Sequence, residues 1–407
     1  MKNSNLKSWG NLYAEIHNEY NSSSNSSFLD IGNLNSYGDS CIPLNSISNV
    51  PKNSVVNDTV YNYQIKHGYY LFGTPGKSDV TIAGAIASDT HGKDNNWGGS
   101  FYKNVKKIYL SIYGEEIETS REKDVELFNA TIGGYGLTGT IKNVELFDSN
   151  VKISENYETF IETGFGIDNL LNSFSALEKE YWVGWINLQN KNFPWVTNKS
   201  ISSNRPIKIH NQKKDFELHA SFPFIGRNKF KTLNLINFFY FQTNKFLKTG
   251  EKSFYKTFFP LSFISDTRNI SKSRKIVQVQ FSIPSSKSYL LEPLLKMLIN
   301  KQIPLLCSIK KLSNQDCLNN LSFYQEGWTI AVDFSFHQFN SQEIEKFYNE
   351  LSKLGGKVYL AKDSTLDKKN FRSMYPESFE WEKIVKSIDP KNLYQSKLSN
   401  RLGLKGW

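Results

Sequence analysis

The chain has 407 residues, enough for two or three domains and a substantial hydrophobic core. Hydrophobic residues make up 39% of the sequence and aromatic residues 14%, which excludes an intrinsically disordered chain. Lysine and arginine outnumber aspartate and glutamate by 49 to 39. The net charge of +10 favours an anionic partner, such as nucleic acid, a phosphorylated small molecule or an anionic membrane surface.

The cysteines and histidines do not support a disulfide framework or a metal site. Cys41, Cys307 and Cys317 form no CxxC pair, and an odd, sparse count is typical of a reducing compartment. The histidines show neither HxH nor HExxH spacing, so no metal site is expected. No run approaches the roughly 20 apolar residues that span a bilayer, and the start lacks the apolar region of a signal peptide. We therefore expect a cytoplasmic protein, either soluble or in peripheral contact with a membrane.

The first third of the chain is rich in turns. The polar run Asn21–Ser27 predicts an exposed loop, because short hydroxyl and amide side chains compete for backbone hydrogen bonds. Glycines then cluster in three segments: Ile31–Ser40 (IGNLNSYGDS), Gly73–Lys93 with Gly98–Phe101 after it, and Ala130–Ile141 (ATIGGYGLTGTI). Glycine at this density lets backbone N–H groups approach a ligand, and a concave row of such groups binds diphosphate. The three segments together suggest a bound dinucleotide.

Two familiar phosphate-binding patterns fail within these segments. Gly76–Ser78 looks like the end of a P-loop, but Leu71 stands where that pattern requires glycine. Gly134–Gly139 matches GxGxxG, yet the β-like run IKNVELF follows it in place of a helix. The sequence therefore favours neither a P-loop nor a Rossmann site.

Two later segments alternate apolar and polar residues with the period of a half-buried strand. In Lys275–Pro284 (KIVQVQFSIP), Val277, Val279, Phe281 and Ile283 face one side, and Gln278, Gln280 and Ser282 face the other. Trp328–Phe336 (WTIAVDFSF) repeats the alternation. An antiparallel sheet with one apolar and one polar face fits both segments. On the alternation alone, solvent exposure is the preferred account of the polar face.

The clearest helix is predicted over Ser341–Leu354. Asn340 can serve as its N-cap, an apolar stripe runs along one face, and Gly355–Gly356 ends it. The run KVYLAK (Lys357–Lys362) predicts a strand directly afterwards.

The glycine segments resemble FAD-dependent oxidoreductases of the vanillyl-alcohol-oxidase type, the superfamily with a PCMH-type FAD-binding domain. SYGD, TPG, AGAIASDTHGK, GSF and ATIGGYGLTG follow the order of that family, and the decaprenylphosphoryl-β-D-ribose 2'-oxidase group is the most similar. GGKVYLAKDS, MYP and IDPKNLYQSKLSNRLGL resemble the ending of the same group. The resemblance implies an α+β fold in three parts: a shortened, two-subdomain FAD-binding domain (residues 1–152), an antiparallel-sheet substrate domain that caps the flavin (153–356), and a C-terminal segment that returns to the FAD domain (357–407).

The resemblance also implies the residues of the site. The cofactor positions are Gly32, Ser36, Tyr37, Gly38, Gly76, Thr81, Gly84, Ser88, His91, Ile141 and Tyr359. The catalytic candidates are Lys362, Tyr37 and His91, and the substrate-binding candidates are Gln278, Gln280 and Lys362. The FAD is expected to be non-covalent, because the first glycine segment has no histidine for attachment.

A fixed ammonium group has a physical use beside a flavin. Hydride transfer leaves negative charge on the flavin ring, and a cation stabilises that charge most where water is excluded. An isolated lysine beside an aspartate is by default a surface residue, but the matching context of Lys362 favours the site. For His91, a structural role in a glycine-rich turn is as plausible as a chemical one.

The implied activity is hydride transfer from a secondary alcohol of a sugar to the flavin. The expected substrate is a polyprenyl-phosphate-linked pentose, as in the synthesis of cell-envelope polysaccharides. Oxidation at the 2' position would be the first half of an epimerisation that a partner short-chain reductase completes. Nucleic acid is not expected as a partner, since the sequence has no basic helix or stacking motif of known type.

Two alternatives stay open. One is an aldonolactone or alditol oxidase of the same fold. The other is a degenerate, non-catalytic homologue that binds polysaccharide intermediates. The second follows from departures in the sequence: Ile31, Leu34 and Asn35 stand where the family pattern has Arg, Gly and Arg, and Ala331 stands where the mycobacterial enzymes have Cys.

Overall fold

The structure is a computed structural model that describes residues 3–10, 14–19, 28–44, 46–48, 55–174, 181–203, 229–260, 275–314 and 320–406. The loop expected at Asn21–Ser27 lies outside these residues. The strands are β1 (Asn3–Lys7), β2 (Ala14–Glu19), β3 (Phe28–Asp30), β4 (Ser46–Ser48), β5 (Val105–Ile112), β6 (Glu115–Ser120), β7 (Thr140–Leu146), β8 (Asn156–Phe165), β9 (Tyr181–Ile186), β10 (Pro194–Ser203), β11 (Thr249–Ser253), β12 (Ile276–Pro284), β13 (Pro304–Leu312), β14 (Gly327–Ser335) and β15 (Lys357–Val358). The α-helices are α1 (Val60–His67), α2 (Ile82–Ala87), α3 (Val125–Thr131), α4 (Ile167–Ser173), α5 (Lys229–Phe246), α6 (Phe254–Phe258), α7 (Leu291–Leu298), α8 (Ser341–Lys353), α9 (Lys368–Met374), α10 (Ser378–Ile388) and α11 (Lys397–Leu402).

The largest sheet has eight strands in the order β11-β8-β10-β9-β13-β14-β12-β15, with every neighbouring pair antiparallel. The two alternating segments become the adjacent strands β12 and β14, as the period of two predicts. The apolar side chains of β12 are fully buried on one face of this sheet. Phe281 of β12 packs against Phe347 of α8 with ring centroids 5.0 Å apart.

The helix predicted after Asn340 is confirmed. The Asn340 side chain accepts hydrogen bonds from the backbone N–H groups of Gln342 and Glu343, which caps the first turn of α8. The buried residues of α8 recur at helical spacing and join the core below the sheet.

The strand predicted at Lys357–Lys362 is wrong beyond its second residue. β15 pairs with β12 over two residues only, and the chain then turns, with the N–H of Lys362 bonded to the carbonyl of Tyr359 at 3.0 Å. The carboxylate of Asp363 accepts from the N–H groups of Thr365 and Leu366 at 2.8 and 2.9 Å. Such local side-chain bonds compete with strand pairing. Lys362 therefore lies in a turn and not in strand β15.

Two smaller sheets lie in the N-terminal part. One has the order β1-β2-β4-β3, with β4 parallel to both neighbours, and the other is the antiparallel sheet β6-β5-β7. β7 follows the GxGxxG match directly, which confirms that no Rossmann-type helix begins there. Ile82, Ile108 and Phe128 belong to the apolar core that joins α2, β5 and α3. The described part of the molecule is thus a mixed fold of helices and mainly antiparallel sheets, while the division into two FAD subdomains stays a prediction.

The C-terminal residues contact the N-terminal region. The indole N–H of Trp381 donates to the carbonyl of Ala130 at 2.9 Å, and the hydroxyl of Tyr394 donates to the carbonyl of Ser111 at 3.0 Å. These bonds join α10 and the chain after it to the third glycine segment and to β5. The domain boundaries expected after residues 152 and 356 stay predictions. Among the described helices, none is long and apolar enough to cross a membrane.

Candidate active site

A cavity of about 290 Å³ lies between the glycine segments and the polar face of the eight-stranded sheet. That volume is near the lower limit of small-molecule sites. Its lining includes the predicted site residues Gly32, Ser36, Tyr37, Gly76, Thr81, Gly84, Ser88, His91, Ile141, Gln278, Gln280, Tyr359 and Lys362. Residues widely separated in the sequence therefore line one site.

The first two glycine segments are held together at Thr81. Its side chain caps α2 by accepting from the N–H of Gly84 at 3.1 Å. A Cβ added at Gly32 would lie 2.8 Å from the same Thr81 oxygen, whereas a Cβ added at Gly76 would meet no atom within 4 Å. Gly32 is therefore required for the close approach of the two segments, while Gly76 leaves open space on the cavity side.

Gly38 does not line the cavity. A Cβ at this position would lie 1.7 Å from the carbonyl oxygen of Asp363, so the first glycine segment packs directly on the turn that carries Lys362. Arg401 of α11 lies beside this contact. Its guanidinium donates to both carboxylate oxygens of Asp39 at 2.7 and 2.9 Å and to Asp363 at 2.8 Å. The arginine thus connects the two loops that present Tyr37 and Lys362.

Lys362 points over the ring of Tyr37, with its Nζ 4.5 Å from the ring centroid. Burial, and next the cation of Lys77, lower the pKa of Lys362 to about 8, although Asp333 opposes this shift. Burial raises the pKa of Tyr37 well above its ordinary value, and the charge of Asp333 adds to the effect. Near neutral pH, the site therefore holds a neutral phenol beneath a lysine that is mainly protonated.

The polar face of β12 is largely covered, with Gln280 and Ser282 buried and Gln278 partly buried, so the preference drawn from the alternation alone is wrong. The amide of Gln278 donates to Asp333 Oδ1 at 2.6 Å and is also hydrogen-bonded to Tyr37. Burial raises the pKa of Asp333 to about 6, against the opposing effects of Gln278 and Lys362. The glycine segments cover this face, which a period of two in one strand cannot reveal.

His91 is held between two amides. Its Nδ1 lies 3.2 Å from the amide nitrogen of Asn95, and its Nε2 lies 2.8 Å from the terminal amide of Gln280. The oxygen of Asn95 already accepts from the N–H of Gly92 at 2.7 Å, so its nitrogen is the donor to His91. Burial, followed by the cations of Lys310 and Lys362, lowers the pKa of His91 well below its ordinary value. The ring is therefore neutral, with one nitrogen that carries the proton and one that can accept from a neighbouring amide.

Lys310 is a further residue of the site that was not predicted from the sequence. This lysine of β13 lines the cavity with Ser308, and burial lowers its pKa to about 8. Thr329 and Ala331 of β14 complete the polar face beside it. The alternation of Cys307 and Ile309 with Ser308 and Lys310 in PLLCSIKKL was the available signal. Together with Lys77 and Lys362, this residue makes the cavity cationic.

Comparison with known proteins supports the resemblance seen in the motifs. No family model matches the chain. A decaprenylphosphoryl-β-D-ribose oxidase from Mycolicibacterium smegmatis is 24% identical over 369 residues, which cover 85% of this chain and 79% of that protein. An uncharacterized protein in the mprA 5' region of Streptomyces coelicolor is 32% identical over 79 residues, 19% of this chain and 21% of that protein. The first relative is an oxidase by name, which supports the expectation of an oxidoreductase. Over most of its length, the chain is similar to decaprenylphosphoryl-β-D-ribose oxidase, the group that its motifs indicate.

Proposed function

We propose that the chain is an FAD-dependent oxidoreductase that oxidises a secondary alcohol of a polyprenyl-phosphate-linked pentose at its 2' position. The observation that carries this proposal is the single cavity in which the glycine segments, Lys362 and the amides of β12 come together. The extended similarity to decaprenylphosphoryl-β-D-ribose oxidase supports the same activity. The resulting keto sugar would be the substrate of a partner short-chain reductase, which would complete an epimerisation.

The residues present fit a diphosphate-containing cofactor. The indole N–H of Trp9 and the hydroxyl of Ser40 line the cavity, and both are buried without a hydrogen-bond partner in the described part of the chain. Such groups cost free energy unless a ligand pairs with them. The backbone N–H of Gly32 and the hydroxyl proton of Thr81, both at the cavity lining, would donate to the diphosphate. FAD bound there would supply the hydride acceptor.

The altered first loop retains two features of the family pattern. Leu34 stands where the pattern has glycine, and it adopts φ 54°, the left-handed conformation that glycine accepts most readily. Asn35 stands where the pattern has arginine, and its side-chain oxygen accepts from Lys77 Nζ at 2.9 Å. Lys77 thus places a cation beside the position of the missing arginine. These contacts argue against a degenerate homologue.

The side chains around the cavity divide into two groups by charge. Lys362 would supply a cation to the negative charge that develops on the flavin ring when the alcohol is oxidised. Lys310 would supply a second cation from the side of the sheet. Neutral His91 and the amides of Gln278 and Gln280 supply hydrogen-bonding groups suited to sugar hydroxyls. The buried setting keeps water away from the reacting carbon and strengthens each of these interactions.

The proposal is tested by anaerobic mixing of the FAD-loaded protein with decaprenylphosphoryl ribose, with loss of the oxidised-flavin absorbance as the readout. Free ribonolactone and ribitol serve as the comparison substrates. We expect bleaching with the lipid-linked pentose and little with the free sugars. Bleaching by the free sugars alone would establish the aldonolactone or alditol oxidase alternative. Binding of the pentose without any bleaching would establish the non-catalytic one.

A further inference from the structure

Helix α5 carries an apolar surface that the fold leaves exposed. Among the side chains of α5 whose burial is described (234–246), Asn237 and Phe241, one turn apart, are buried, and Phe241 packs on Phe165 of β8 with ring centroids 5.1 Å apart. Large apolar side chains also occupy the opposite side of the helix, which we name the aromatic face: Leu235, Phe238, Phe239 and Phe246, exposed by 54%, 52%, 58% and 84%. Large apolar side chains of a surface helix normally face the core, whereas those of the aromatic face have no partner within the described part of the chain.

The charges in α5 and in the two residues after it have one sign. Residues 229–248 contain four lysines and no aspartate or glutamate. Lys245 and Lys248 are exposed at the C-terminal end of α5, and Lys245 Nζ lies 5.7 Å from the centroid of the Phe241 ring. Aromatic and aliphatic side chains with flanking lysines are typical of helices that lie in the interface of an anionic bilayer. A protein partner that binds an aromatic surface needs no such excess of one charge.

Helix α5 is adjacent to the cavity through the sheet. Tyr240 of α5 packs on Trp185 of β9 with ring centroids 4.9 Å apart. Trp185 pairs directly with Ser308 of β13, which lines the cavity. One pair of neighbouring strands therefore separates the helix from the site. A substrate with its sugar in the cavity and its lipid chain in a bilayer requires this proximity.

We propose that α5 docks the protein on an anionic membrane surface, with Leu235, Phe238, Phe239 and Phe246 in the acyl-chain boundary and Lys245 and Lys248 on the headgroups. The helix lies on the bilayer without crossing it, which agrees with its polar Asn234, Gln242 and Asn244. The link from this surface to a lipid-linked substrate rests on the proposed function. The docking itself does not.

Cosedimentation with lipid vesicles tests the docking without any substrate. The full chain is mixed with vesicles of phosphatidylglycerol and phosphatidylcholine, and separately with vesicles of phosphatidylcholine alone. We expect binding to the mixed vesicles that weakens with added salt. The double variant Phe239→Ser, Phe246→Ser should bind roughly 100-fold more weakly, since each phenylalanine removed from the acyl-chain boundary should cost about ten-fold in affinity. The double variant Lys245→Gln, Lys248→Gln should lose about five-fold per lysine, and only with the anionic vesicles.

Tyr289→Ser is the matched control, because Tyr289 is 65% exposed and lies outside α5. Its binding should equal that of the wild type. Wild-type binding that survives the double phenylalanine substitution would overturn the proposal. A second result would also overturn it: the wild type is a dimer that does not bind vesicles, and the double phenylalanine substitution converts it to a monomer. The aromatic face would then join two copies of the chain.

A kinetic comparison separates this inference from the proposed function. With the substrate in mixed vesicles, the phenylalanine variant should raise KM and leave kcat unchanged, and in detergent micelles the difference should vanish. If the wild type is active in micelles but does not bind vesicles, the proposed function stands and the docking is wrong. If the wild type binds vesicles but its flavin is reduced in neither medium, the docking stands and the proposed function is wrong.

Discussion

Lys362 combines a cation with burial, and this combination can be tested by substitution. Lys362→Met removes the charge at nearly constant length, and flavin reduction should slow by roughly 10²- to 10³-fold, the usual cost of removing one electrostatic stabiliser of a developing charge. FAD affinity should change less. Rapid-mixing absorbance measurements give the reduction rate. A rate equal to that of the wild type would remove Lys362 from the chemistry.

The pH dependence of the same step follows from the lowered pKa of Lys362. With a pKa of about 8, the amine loses its proton as the pH rises through that value, so the reduction rate should fall above about pH 8. Lys362→Arg keeps its charge at every accessible pH. Its residual rate should therefore lack this alkaline decline. A decline of the same shape in both proteins would assign the titration to another group.

Gly38 and Gly76 differ in the space around them, so substitution of each by alanine tests the packing of the glycine loops. Gly38→Ala places a Cβ 1.7 Å from the carbonyl of Asp363, and we expect a loss of about 1–3 kcal/mol or more in the free energy of unfolding. Gly76→Ala points into open space and should change that free energy by no more than about 0.5 kcal/mol. Urea unfolding of the FAD-free proteins makes the comparison. Equal losses would show that the packing of the first loop on the turn is wrong.

Arg401 joins two elements of the fold, the first glycine loop and the turn after β15. Its two carboxylate partners, Asp39 and Asp363, are almost completely buried. Arg401→Met leaves both carboxylates without their cation, which should cost roughly 3–5 kcal/mol in unfolding free energy. Lys353→Met removes one side of the exposed pair with Glu350 and should cost about 0.5 kcal/mol or less. Similar losses in both variants, measured by urea unfolding, would contradict the bridging role of Arg401.

The elements show which parts of the fold were predictable. The strands β12 and β14 and the helix α8 follow from local periodicity and from an N-cap, and the structure confirms all three. The turn after Val358 could not be predicted from periodicity, because it depends on hydrogen bonds that Asp363 accepts from the residues after it. The burial of Gln278 and Gln280 also required knowledge of what lies above the sheet.

The candidate site could be anticipated through motif resemblance but not through pattern alone. The glycine segments indicated which backbone stretches approach a ligand, and nearly all of their predicted residues line the cavity. Lys310 was missed because a single lysine in an alternating strand looks like a solvent-facing residue. Its place beside His91 and Lys362 arises from the pairing of β13 with β14.

The whole molecule should show an unusual dependence of stability on pH. Burial lowers the pKa of Lys93 to about 7 and the pKa values of Lys310 and Lys362 to about 8. The unfolded chain keeps these protons up to about pH 10.4. Between about pH 7 and 9 the unfolded state therefore binds more protons, and the free energy of unfolding should rise with pH. Above about pH 9 the partly buried Cys41 thiol, with a pKa raised by desolvation to about 12, opposes the rise.

Urea unfolding of the FAD-free protein across this pH range measures the slope. Lys93→Met removes one of the three lysines and should flatten the curve. Stability that is constant or falls between about pH 7 and 9 would mean that these lysines remain protonated in the folded state.

The most direct measurement of the central claim is the visible absorbance spectrum of the purified protein, recorded as isolated and again after FAD addition and gel filtration. We expect an oxidised-flavin spectrum, and release of the flavin into the supernatant on denaturation, because the first glycine segment contains no histidine that could attach it covalently. A protein that stays colourless after FAD addition would contradict the assignment of the cavity as a flavin site.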